Sequence, residues 1–401
     1  MPSIAVIGAG QAGAALVARL RALGHDGPLT LIGEEPVPPY QRPPLSKGYL
    51  TGDVPAERLY LRPASFYRDN DVRVLTGTRV NAIDPRERRL DLDDETLHYD
   101  MLALTTGARP RLLPARIGGA LNGVFAMRSL ADAQALRPEM APGRRVLIVG
   151  GGYIGLEAAA VCAKLGLEVT IVEAADRILQ RVACRETADL FRDLHGAHGV
   201  TVREGVSVTA LVGEGRISAA QLSDETRIET DFAIVGIGVI PETGLADAAG
   251  LSVIDGIAVD ARGRSSAPGI WAAGDCASFP RHGDRIRLES VQNAIDHAEC
   301  VAADMLGDGY DYAPVPWFWS DQYDVKLQIA GLGAGHDRIV RRTESDGAVS
   351  HWYFRDDRFL AVDAVNAPRA YMVGKRLLEA GRNPDEARLA DPASDLKQLL
   401  A

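Results

Sequence analysis

The sequence has no apolar run that approaches the about 20 residues a membrane-spanning helix needs, and its longest apolar segments have the length of strands. It also lacks an excess of positive charge, because the formal net charge is −10 at pH 7. This balance argues against a general nucleic-acid or anionic-membrane binder, while still allowing a local basic patch for an acidic protein partner. The first apolar strand is predicted from Ser3, which leaves no room for a signal or transit peptide. We therefore expect a cytoplasmic protein.

Cysteine is scarce as well, with four residues in the chain: Cys162, Cys184, Cys276 and Cys300. None of them forms a C-x-x-C motif or a zinc-like spacing, so no metal site is predicted. Cys162 falls on the apolar face of a predicted helix and Cys300 lies in another, which favours a packing role over a reactive one.

The length of 401 residues exceeds what one hydrophobic core usually fills, so two or three domains are expected. A hydrophobic content of 46% and a charged content of 24% are those of an ordinary globular protein. The identity of the domains must therefore come from motifs.

The first motif occupies the N-terminus and predicts a nucleotide site. Residues 3–7 are an apolar strand, Gly8-Ala9-Gly10-Gln11-Ala12-Gly13 is a turn, residues 14–23 are a helix, and residues 29–32 are a second strand. The first glycine permits the tight turn, the second lets the backbone approach a pyrophosphate, and the third lets helix and strand pack closely. Glu34 lies 21 residues after Gly13, where an acid accepts hydrogen bonds from a ribose diol. The alternative is a glycine-rich turn without a ligand.

The segment that follows is rich in proline, from Pro36 to Lys47. Proline forbids a regular helix or a central strand there, so we expect a stiff loop that fixes Arg42 and Lys47. A rigid linker is the alternative. Residues 73–81 and 97–105 are predicted as strands of the same domain, and the break at Thr106-Gly107 is where the chain could leave it.

A second fingerprint repeats this pattern. Residues 145–149 form a strand, Gly150-Gly151-Gly152-Tyr153-Ile154-Gly155 the turn, residues 156–165 a helix and residues 168–172 a strand that ends at Glu173. Two fingerprints imply two dinucleotides, most simply a flavin and a nicotinamide placed for hydride transfer. The alternative is an internal repeat with one inactive copy. Glu173 would repel a 2′-phosphate, and Ala174-Ala175 follow it, so NADH is expected over NADPH.

The remainder of the chain gives coarser signals. Residues 201–229 are predicted as short strands and turns, and residues 231–238 as a buried strand. A further strand stops at Gly274-Asp275, and Ser290 is a predicted N-cap for a helix over 291–306. From Tyr312 an α+β module follows, with strands at 326–330, 339–342, 349–354 and 359–365, a helix at 370–380 and a polar tail.

With these motifs in place the chain resembles, along nearly its whole length, the NADH-dependent ferredoxin reductases of oxygenase systems, of the putidaredoxin-reductase type. The resemblance rests on the two fingerprints together with Arg42-Pro43-Pro44-Leu45-Ser46-Lys47, Thr106-Gly107-Ala108, Ala273-Gly274-Asp275, Glu289-Ser290-Val291-Gln292-Asn293-Ala294 and Trp317-Phe318-Trp319-Ser320-Asp321. It implies an α/β fold with two Rossmann-like, glutathione-reductase-like domains and a C-terminal α+β domain. The implied boundaries are 1–109 with 240–313 for FAD, 110–239 for NADH, and 314–401 for the module that covers the flavin and helps to dock the partner.

The resemblance also implies which residues bind the cofactors. Those expected to line FAD are Gly8, Gly10, Ala12, Gly13, Glu34, Arg42, Lys47, Val80, Thr106, Arg128, Gly274, Asp275, Val291 and Trp319. Those expected to bind NADH are Gly150, Gly152, Tyr153, Ile154, Gly155, Glu173 and Gly238. Trp319, with Trp317, matches the aromatic cluster that covers the flavin.

Lys47 and Glu157 match a lysine and a glutamate that meet beside flavin N5 in this family, one from each dinucleotide domain. With Trp319 they are the residues to which we assign roles beyond binding. Without the resemblance, an exposed helix carboxylate would be the favoured interpretation of Glu157.

One departure from the wider fold bears on the reaction. Disulfide reductases of this fold carry a redox cysteine in the loop that here reads Arg42 to Lys47, and thioredoxin-reductase relatives carry a C-x-x-C in the nicotinamide domain. Since this chain has no cysteine before Cys162, electrons are expected to leave the flavin without a thiol relay.

The predicted activity is therefore transfer from NADH through FAD to a [2Fe–2S] ferredoxin that feeds an oxygenase, such as a cytochrome P450. The alternatives are a rubredoxin reductase, a Rieske-dioxygenase reductase component, an NADH oxidase without cysteine chemistry, or an apoptosis-inducing-factor-like protein whose redox state governs binding. An acidic ferredoxin would need a basic docking surface, for which the predicted residues are Arg281, Arg285, Arg338, Arg341 and Arg342.

Overall fold

A computed structural model describes residues 1–400 of the chain, and these divide into two compact units. The first unit comprises Met1–Arg42, Pro55–Arg109 and Val239–Pro314. The second comprises Pro43–Val54, Pro110–Gly238 and the residues from Val315 onwards. The division into three domains stays a prediction, because the second unit includes both the predicted nicotinamide segment and the C-terminal segment.

The strands, in chain order, are β1 Ile4–Ile7, β2 Leu29–Ile32, β3 Val72–Leu75, β4 Val80–Asp84, β5 Arg89–Leu92, β6 Thr96–His98, β7 Met101–Leu104, β8 Ala108–Pro110, β9 Val124–Ala126, β10 Arg145–Val149, β11 Glu168–Val172, β12 Thr201–Arg203, β13 Val208–Val212, β14 Ala219–Leu222, β15 Arg227–Glu229, β16 Phe232–Val235, β17 Val239–Pro241, β18 Ile257–Ala258, β19 Ile270–Ala272, β20 Ala277–Arg281, β21 Asp284–Ile286, β22 Trp317–Gln322, β23 Val325–Gly331, β24 Arg338–Thr343, β25 Val349–Arg355 and β26 Arg358–Val365.

The α-helices are α1 Gln11–Ala22, α2 Gly48–Thr51, α3 Ala64–Asp69, α4 Leu130–Leu136, α5 Tyr153–Lys164, α6 Arg185–Ala197, α7 Gly244–Ala248, α8 Val291–Met305, α9 Pro368–Glu379 and α10 Glu386–Ala390. Within residues 1–400, none of them is long and apolar enough to cross a bilayer.

The first unit is built on a parallel sheet with the strand order β19-β7-β1-β2-β3. All four residues of β1 and of β2 are buried, as expected for parallel strands that are covered on both faces. Their carboxyl ends lie at the same edge of the sheet, with Ile7 paired to Ile32 and to Leu104. The first fingerprint follows β1 at this edge.

Two predicted strands of this unit are wrong in extent, because each is in fact two strands in different sheets. The segment 73–81 contains β3, which belongs to the parallel sheet, and β4, which belongs to an antiparallel sheet β4-β5-β6. Gly77, at φ +64°, turns the chain between them. The segment 97–105 likewise contains β6 and β7, separated where the Asp100 carboxylate accepts hydrogen bonds from the Ser3 backbone and hydroxyl.

The second unit contains a corresponding parallel sheet with the order β12-β11-β10-β16-β9. The predicted strands at 145–149 and 168–172 are confirmed. The predicted strand at 231–238 is shorter, since β16 ends at Val235 and Gly238 adopts φ +97°. The amphipathic helix α6 was not predicted from the sequence.

Both fingerprint helices begin three residues earlier than predicted, at Gln11 and at Tyr153. The N-caps are the middle glycines, Gly10 and Gly152, which have extended backbones and make no side-chain cap. The third glycine of each motif therefore lies inside the first turn of its helix.

The C-terminal segment forms an antiparallel sheet with the order β22-β23-β26-β25-β24, against which α9 packs. The aromatic strand β22 was not predicted. The expected polar tail is also wrong. Leu389, Leu396 and Leu399 are buried in the hydrophobic cluster around Trp352, because short helical turns at residues 386–390 and 396–400 bring them onto the sheet.

A buried polar cluster joins α6 to this sheet. Asp363 is fully buried and accepts hydrogen bonds from the hydroxyls of Tyr353 and Thr187. Burial raises the pKa of Asp363 to about 6. The Tyr353 hydroxyl also accepts the Cys184 backbone N–H at 2.6 Å, so the start of α6 is fixed by groups on β25 and β26.

Candidate functional site

The three glycines of the first fingerprint differ in whether the fold itself excludes a side chain at their position. A Cβ on Gly8 would lie 2.2 Å from the Thr105 carbonyl oxygen, and one on Gly13 would lie 2.1 Å from the Gly8 carbonyl oxygen. The fold itself therefore requires these two. A Cβ on Gly10 would meet no atom within 4 Å, and its φ of −95° suits any residue. A side chain here would occupy open space in front of the helix N-terminus, which is where a pyrophosphate would be held.

The second fingerprint shows the same division. A Cβ would lie 2.4 Å from the Gly236 carbonyl oxygen at Gly150, and 2.2 Å from the Gly150 carbonyl oxygen at Gly155. Gly152 has no atom within 4 Å of such a Cβ, and its φ is −74°. Both turns thus leave the middle glycine exposed to a ligand, and both fit a dinucleotide.

The two fingerprint acids follow their strands as predicted, but they differ in surroundings. The Glu34 side chain is 73% exposed, with its Oε1 atom 3.7 Å from the Arg79 Nη1 atom. The Glu173 carboxylate accepts hydrogen bonds from the backbone N–H of Gly151 at 2.6 Å and of Ala175 at 2.7 Å. The carboxylate of Glu173 is therefore fixed against its own glycine turn.

The other FAD residues predicted in the first unit lie on several elements. Ala12 is on α1, where its methyl group would lie 3.0 Å from a Cβ on Gly274, so the turn after β19 packs closely on this helix. Asp275 follows that turn. The Thr106 hydroxyl donates to the Glu242 carbonyl at 2.6 Å. Val80 is buried on β4 among core residues.

Arg42 and Val291 complete the set from this unit. The Arg42 guanidinium donates to the Glu35 carboxylate at 2.6 Å and to the Tyr40 hydroxyl at 3.1 Å. Val291 begins the 15-residue helix α8, and the predicted N-cap is confirmed because the Ser290 hydroxyl accepts the Asn293 N–H at 3.1 Å. The positive end of α8 thus begins at Val291.

The second unit contains the predicted ion pair. Lys47 precedes α2, Glu157 lies on α5, and the Lys47 Nζ atom is 3.0 Å from the Glu157 Oε1 atom. The Glu157 side chain is 6% exposed and that of Lys47 is 23% exposed. Glu157 is therefore not the exposed helix carboxylate that the residues alone would favour.

Glu157 has two further partners that were not predicted. The Ser46 hydroxyl donates to its Oε2 atom at 3.0 Å, and the Ser320 hydroxyl donates to its Oε1 atom at 2.8 Å. Burial raises the pKa of the Glu157 carboxyl, while Lys47, Ser320 and Ser46 oppose that rise. Ser46 directly precedes Lys47 in the sequence, and Ser320 directly follows Trp319. These positions beside predicted site residues were the signal by which both serines could have been found.

Aromatic residues of β22 lie near the start of α5. The Phe318 and Tyr153 rings are 5.2 Å apart between centroids, and those of Trp317 and Trp319 are 5.8 Å apart. Ile154 is the second residue of α5. A Cβ on Gly238 would lie 3.7 Å from the Arg181 guanidinium. The Arg128 backbone N–H donates to Asp132, just before α4.

The predicted docking arginines require a correction. Arg342 is buried and its guanidinium bonds Glu344 and the Leu389, Asp391, Pro392 and Ser394 carbonyls, so it is a structural residue of the C-terminal segment. Arg338 is paired with Glu386 at 2.6 Å. Arg281 and Arg285 belong to the first unit, whereas Arg338 and Arg341 belong to the second.

The four cysteines are all buried free thiols. Burial raises the pKa of Cys162 to about 12 and that of Cys184 to about 11, and it also raises the pKa of Cys276. Thiolates are therefore disfavoured at all three positions.

Comparisons with known proteins agree with this geometry. The pyridine nucleotide-disulphide oxidoreductase family matches residues 2–298, and the reductase C-terminal family matches residues 317–400. The chain is 43% identical over 404 residues to a ferredoxin–NAD(P)+ reductase from a Sphingomonas species, covering 99% of this chain and 97% of that protein.

Two solved structures are similar over the whole chain. One is putidaredoxin reductase in its covalent complex with putidaredoxin, with a TM-score of 0.96, 37% identity, and coverage of 100% of this chain and 98% of that one. The other is the ferredoxin reductase of the CYP199A2 system from Rhodopseudomonas palustris, with a TM-score of 0.96, 38% identity, and full coverage of both chains. The predicted fold and resemblance are confirmed. The chain belongs to the pyridine nucleotide-disulphide oxidoreductase family, and its full-length relatives named here are ferredoxin reductases.

Proposed function

We propose that this chain is an NADH:ferredoxin oxidoreductase that carries FAD and supplies a [2Fe–2S] ferredoxin of an oxygenase system, with a cytochrome P450 as the favoured terminal enzyme and a dioxygenase as the alternative. The observation that carries the proposal is the match over essentially the full chain to ferredoxin reductases, including those of putidaredoxin and of the CYP199A2 system. It favours this function over a rubredoxin reductase or a redox-regulated binding protein. A cytoplasmic location stays a prediction from the sequence.

FAD is assigned to the fingerprint of the first unit. Gly10 and the N-terminal turn of α1 would hold its pyrophosphate, and Glu34 would accept hydrogen bonds from the adenosine ribose. Asp275 would hold the ribityl chain, and the positive end of α8 at Val291 would stabilise negative charge on the flavin edge. When bound, FAD accepts two electrons as a hydride and releases them one at a time.

NADH is assigned to the fingerprint of the second unit. Gly152 and the start of α5 would bind its pyrophosphate, and Glu173 would accept hydrogen bonds from the adenosine ribose diol. The two backbone N–H groups that hold Glu173 fix its carboxylate in place, so a 2′-phosphate could not push it aside without breaking them.

Electrons are proposed to leave without a thiol relay. The four cysteines are all free thiols, so they form no disulfide that could accept electrons from a reduced flavin. Burial also disfavours the thiolate form that disulfide exchange needs at Cys162, Cys184, Cys276 and Cys300. Trp319 on β22 is assigned to the exit route, on the strength of the resemblance. The alternative is that Trp317 and Trp319 are core aromatics of the C-terminal segment.

The preference for NADH over NADPH should be at least about tenfold in kcat/KM, because a desolvated like-charge contact costs several kcal/mol. Glu173→Gln, which keeps the size and removes the charge, should narrow that ratio. Glu168→Gln, at the exposed far end of the same strand, is the matched control and should leave it unchanged. Equal kcat/KM values for the two nucleotides in the wild type would refute this assignment.

Replacing Lys47 by Ala or Glu157 by Gln should slow flavin reduction by NADH at least about tenfold while bound FAD is retained. Each change leaves one member of a largely buried pair without its counter-charge. Stopped-flow absorbance at the flavin band measures the rate, and Lys164→Ala at the exposed end of α5 serves as the control. Wild-type rates in both pair variants would remove their assigned role.

The ferredoxin proposal is tested by titrating [2Fe–2S] ferredoxins against NADH consumption with cytochrome c as the terminal acceptor. Saturable, ferredoxin-dependent turnover is expected. Trp319→Ala should lower that turnover by about tenfold more than it lowers NADH–ferricyanide turnover, as expected for an aromatic anchor. Turnover that no ferredoxin accelerates would contradict the proposed function, and an equal fall in both activities would contradict the exit route.

A further inference from the structure

The strand β22 sends alternate side chains in two directions. Ser320 and Gln322 are two residues apart, and both are fully buried polar side chains. Ser320 contacts Glu157 on α5, and the Gln322 Oε1 atom lies 2.9 Å from the Nε2 atom of His195 on α6. His195 is itself fully buried. One strand therefore links the carboxylate of the ion pair to a histidine on another helix.

The direction of every hydrogen bond in this link follows from the carboxylate. The Lys47 Nζ atom lies 3.0 Å from the Glu157 Oε1 atom, as expected for an ionised carboxylate, which can only accept. The single Ser320 hydroxyl proton is therefore donated to it. The Ser320 oxygen must then accept, and it does so from the Gln322 Nε2 atom at 3.1 Å. The Gln322 oxygen consequently faces His195 and accepts from its Nε2–H group.

The proton positions at the other end of this link, on His195 and Tyr323, follow in the same way. Since the His195 Nε2 atom carries the proton, the neutral ring accepts at Nδ1, from the Tyr323 hydroxyl at 3.2 Å. Burial lowers the pKa of His195, which keeps the ring neutral. The Tyr323 ring stacks on the exposed His198 ring at 3.7 Å between centroids. Four successive neutral donors thus point toward Glu157.

We propose that this oriented chain, which runs from Tyr323 through His195, Gln322 and Ser320 to Glu157, holds the Glu157 carboxylate ionised and aligned toward Lys47. Ser320 and Gln322 are accordingly positioning residues of the ion pair. The inference rests on the proposed function, since it concerns the pair assigned to flavin reduction. It adds a set of groups, outside the cofactor-binding residues, that sets the pH range in which the pair exists.

This chain of hydrogen bonds orients the Glu157 carboxylate and does not conduct protons. A proton passing through Gln322 would have to leave an amide nitrogen, which requires the unfavourable imidic acid form. The hydroxyl and amide dipoles instead remain in place and reinforce one another, as hydrogen bonds in series do in a medium of low polarity. Their removal should therefore change the proton affinity of Glu157.

Other charged and titratable groups around the chain are few. Lys47 and the Ser46 hydroxyl face Glu157 from the segment that precedes α2, and Asp321 lies 3.9 Å from the Lys47 Nζ atom. Cys162 on α5 is close enough to influence Tyr323 electrostatically, but its thiol is neutral because burial raises its pKa to about 12. Lys47 is thus the cation whose ion pair with Glu157 the hydrogen-bond chain stabilises.

The test is Ser320→Ala in the FAD-loaded protein. Removing a donor to the anion raises the pKa of Glu157, so the carboxylic acid form should appear at a pH about one unit higher than in the wild type, a tenfold change in proton affinity. Infrared difference spectroscopy across a pH titration detects this form, and Glu157→Gln assigns the band. The acid limb of the rate of flavin reduction by NADH should move to higher pH by the same amount.

Three further variants keep the result interpretable. Ser320→Thr retains the hydroxyl, so its Glu157 titration should lie close to that of the wild type. Gln322→Met should give a smaller shift than Ser320→Ala in the same direction, and it is the substitute test if Ser320→Ala fails to fold. Ser350→Ala removes a buried serine hydroxyl from the same sheet, where it bonds the Trp352 indole, and should leave the titration of Glu157 unmoved.

Two results would overturn the proposal: a Glu157 titration in Ser320→Ala and Gln322→Met that matches the wild type, or an equal displacement in Ser350→Ala. The infrared titration uses neither NADH nor ferredoxin. A failure of the proposed function would instead appear as a wild-type protein whose flavin is not reduced by NADH, so the two failures can be told apart.

Discussion

The close approach of glycine backbone to the ends of two parallel sheets is the constraint on which the rest of the molecule depends. Gly8 faces the Thr105 carbonyl after β7, and Gly150 faces the Gly236 carbonyl after β16, at separations that no side chain could share. These contacts fix where each chain turns from strand into helix. They consequently fix the helix N-termini and the middle glycines that we propose face the dinucleotides. Each proposed cofactor site is thereby built mainly from backbone groups, which vary little with the residues around them.

The same dependence explains how much could be predicted from the sequence. Strands such as Ile4–Ile7 and Arg145–Val149 are short apolar runs bounded by glycine, so periodicity and turn chemistry agree. The cap at Ser290 was equally local. The segment 73–81 failed because its two strands join different sheets, and sheet membership depends on pairing between distant residues. The prediction of a polar tail failed because the burial of isolated leucines depends on the sheet against which they pack.

The site divides along the same line. Position in a motif predicted the fingerprint glycines, and the resemblance predicted that Lys47 meets Glu157. Ser320 had only its place in the Trp317–Asp321 motif as a signal, and Gln322 had none. Two polar residues that alternate along an aromatic strand suggest an exposed face until their partners on α5 and α6 are known. The burial of Arg342 was hidden for a similar reason. Its partners are carbonyls near the end of the chain, and the sequence shows only a cluster of arginines.

The chemistry assigned to this chain also depends on what it lacks. Related folds pass electrons through a cysteine pair, whereas the four thiols here are buried and unpaired, and Pro43 to Lys47 occupies the loop in question. Lys47 is paired with the Glu157 carboxylate, which accepts hydrogen bonds from the Ser46 and Ser320 hydroxyls. An ion pair with polar partners thus occupies the segment in which related folds carry redox cysteines. This arrangement is consistent with direct electron transfer to a one-electron carrier.

The central claim is that each fingerprint holds its own dinucleotide against its middle glycine. It is tested most directly by measuring FAD content and NADH-driven flavin reduction in Gly10→Ala and Gly152→Ala, with Gly196→Ala on α6 as a control whose added methyl group also meets open space. We predict that Gly10→Ala loses FAD, that Gly152→Ala retains FAD but binds NADH at least about tenfold more weakly, and that the control resembles the wild type. Wild-type FAD content in the first variant, or wild-type reduction by NADH in the second, would contradict the account.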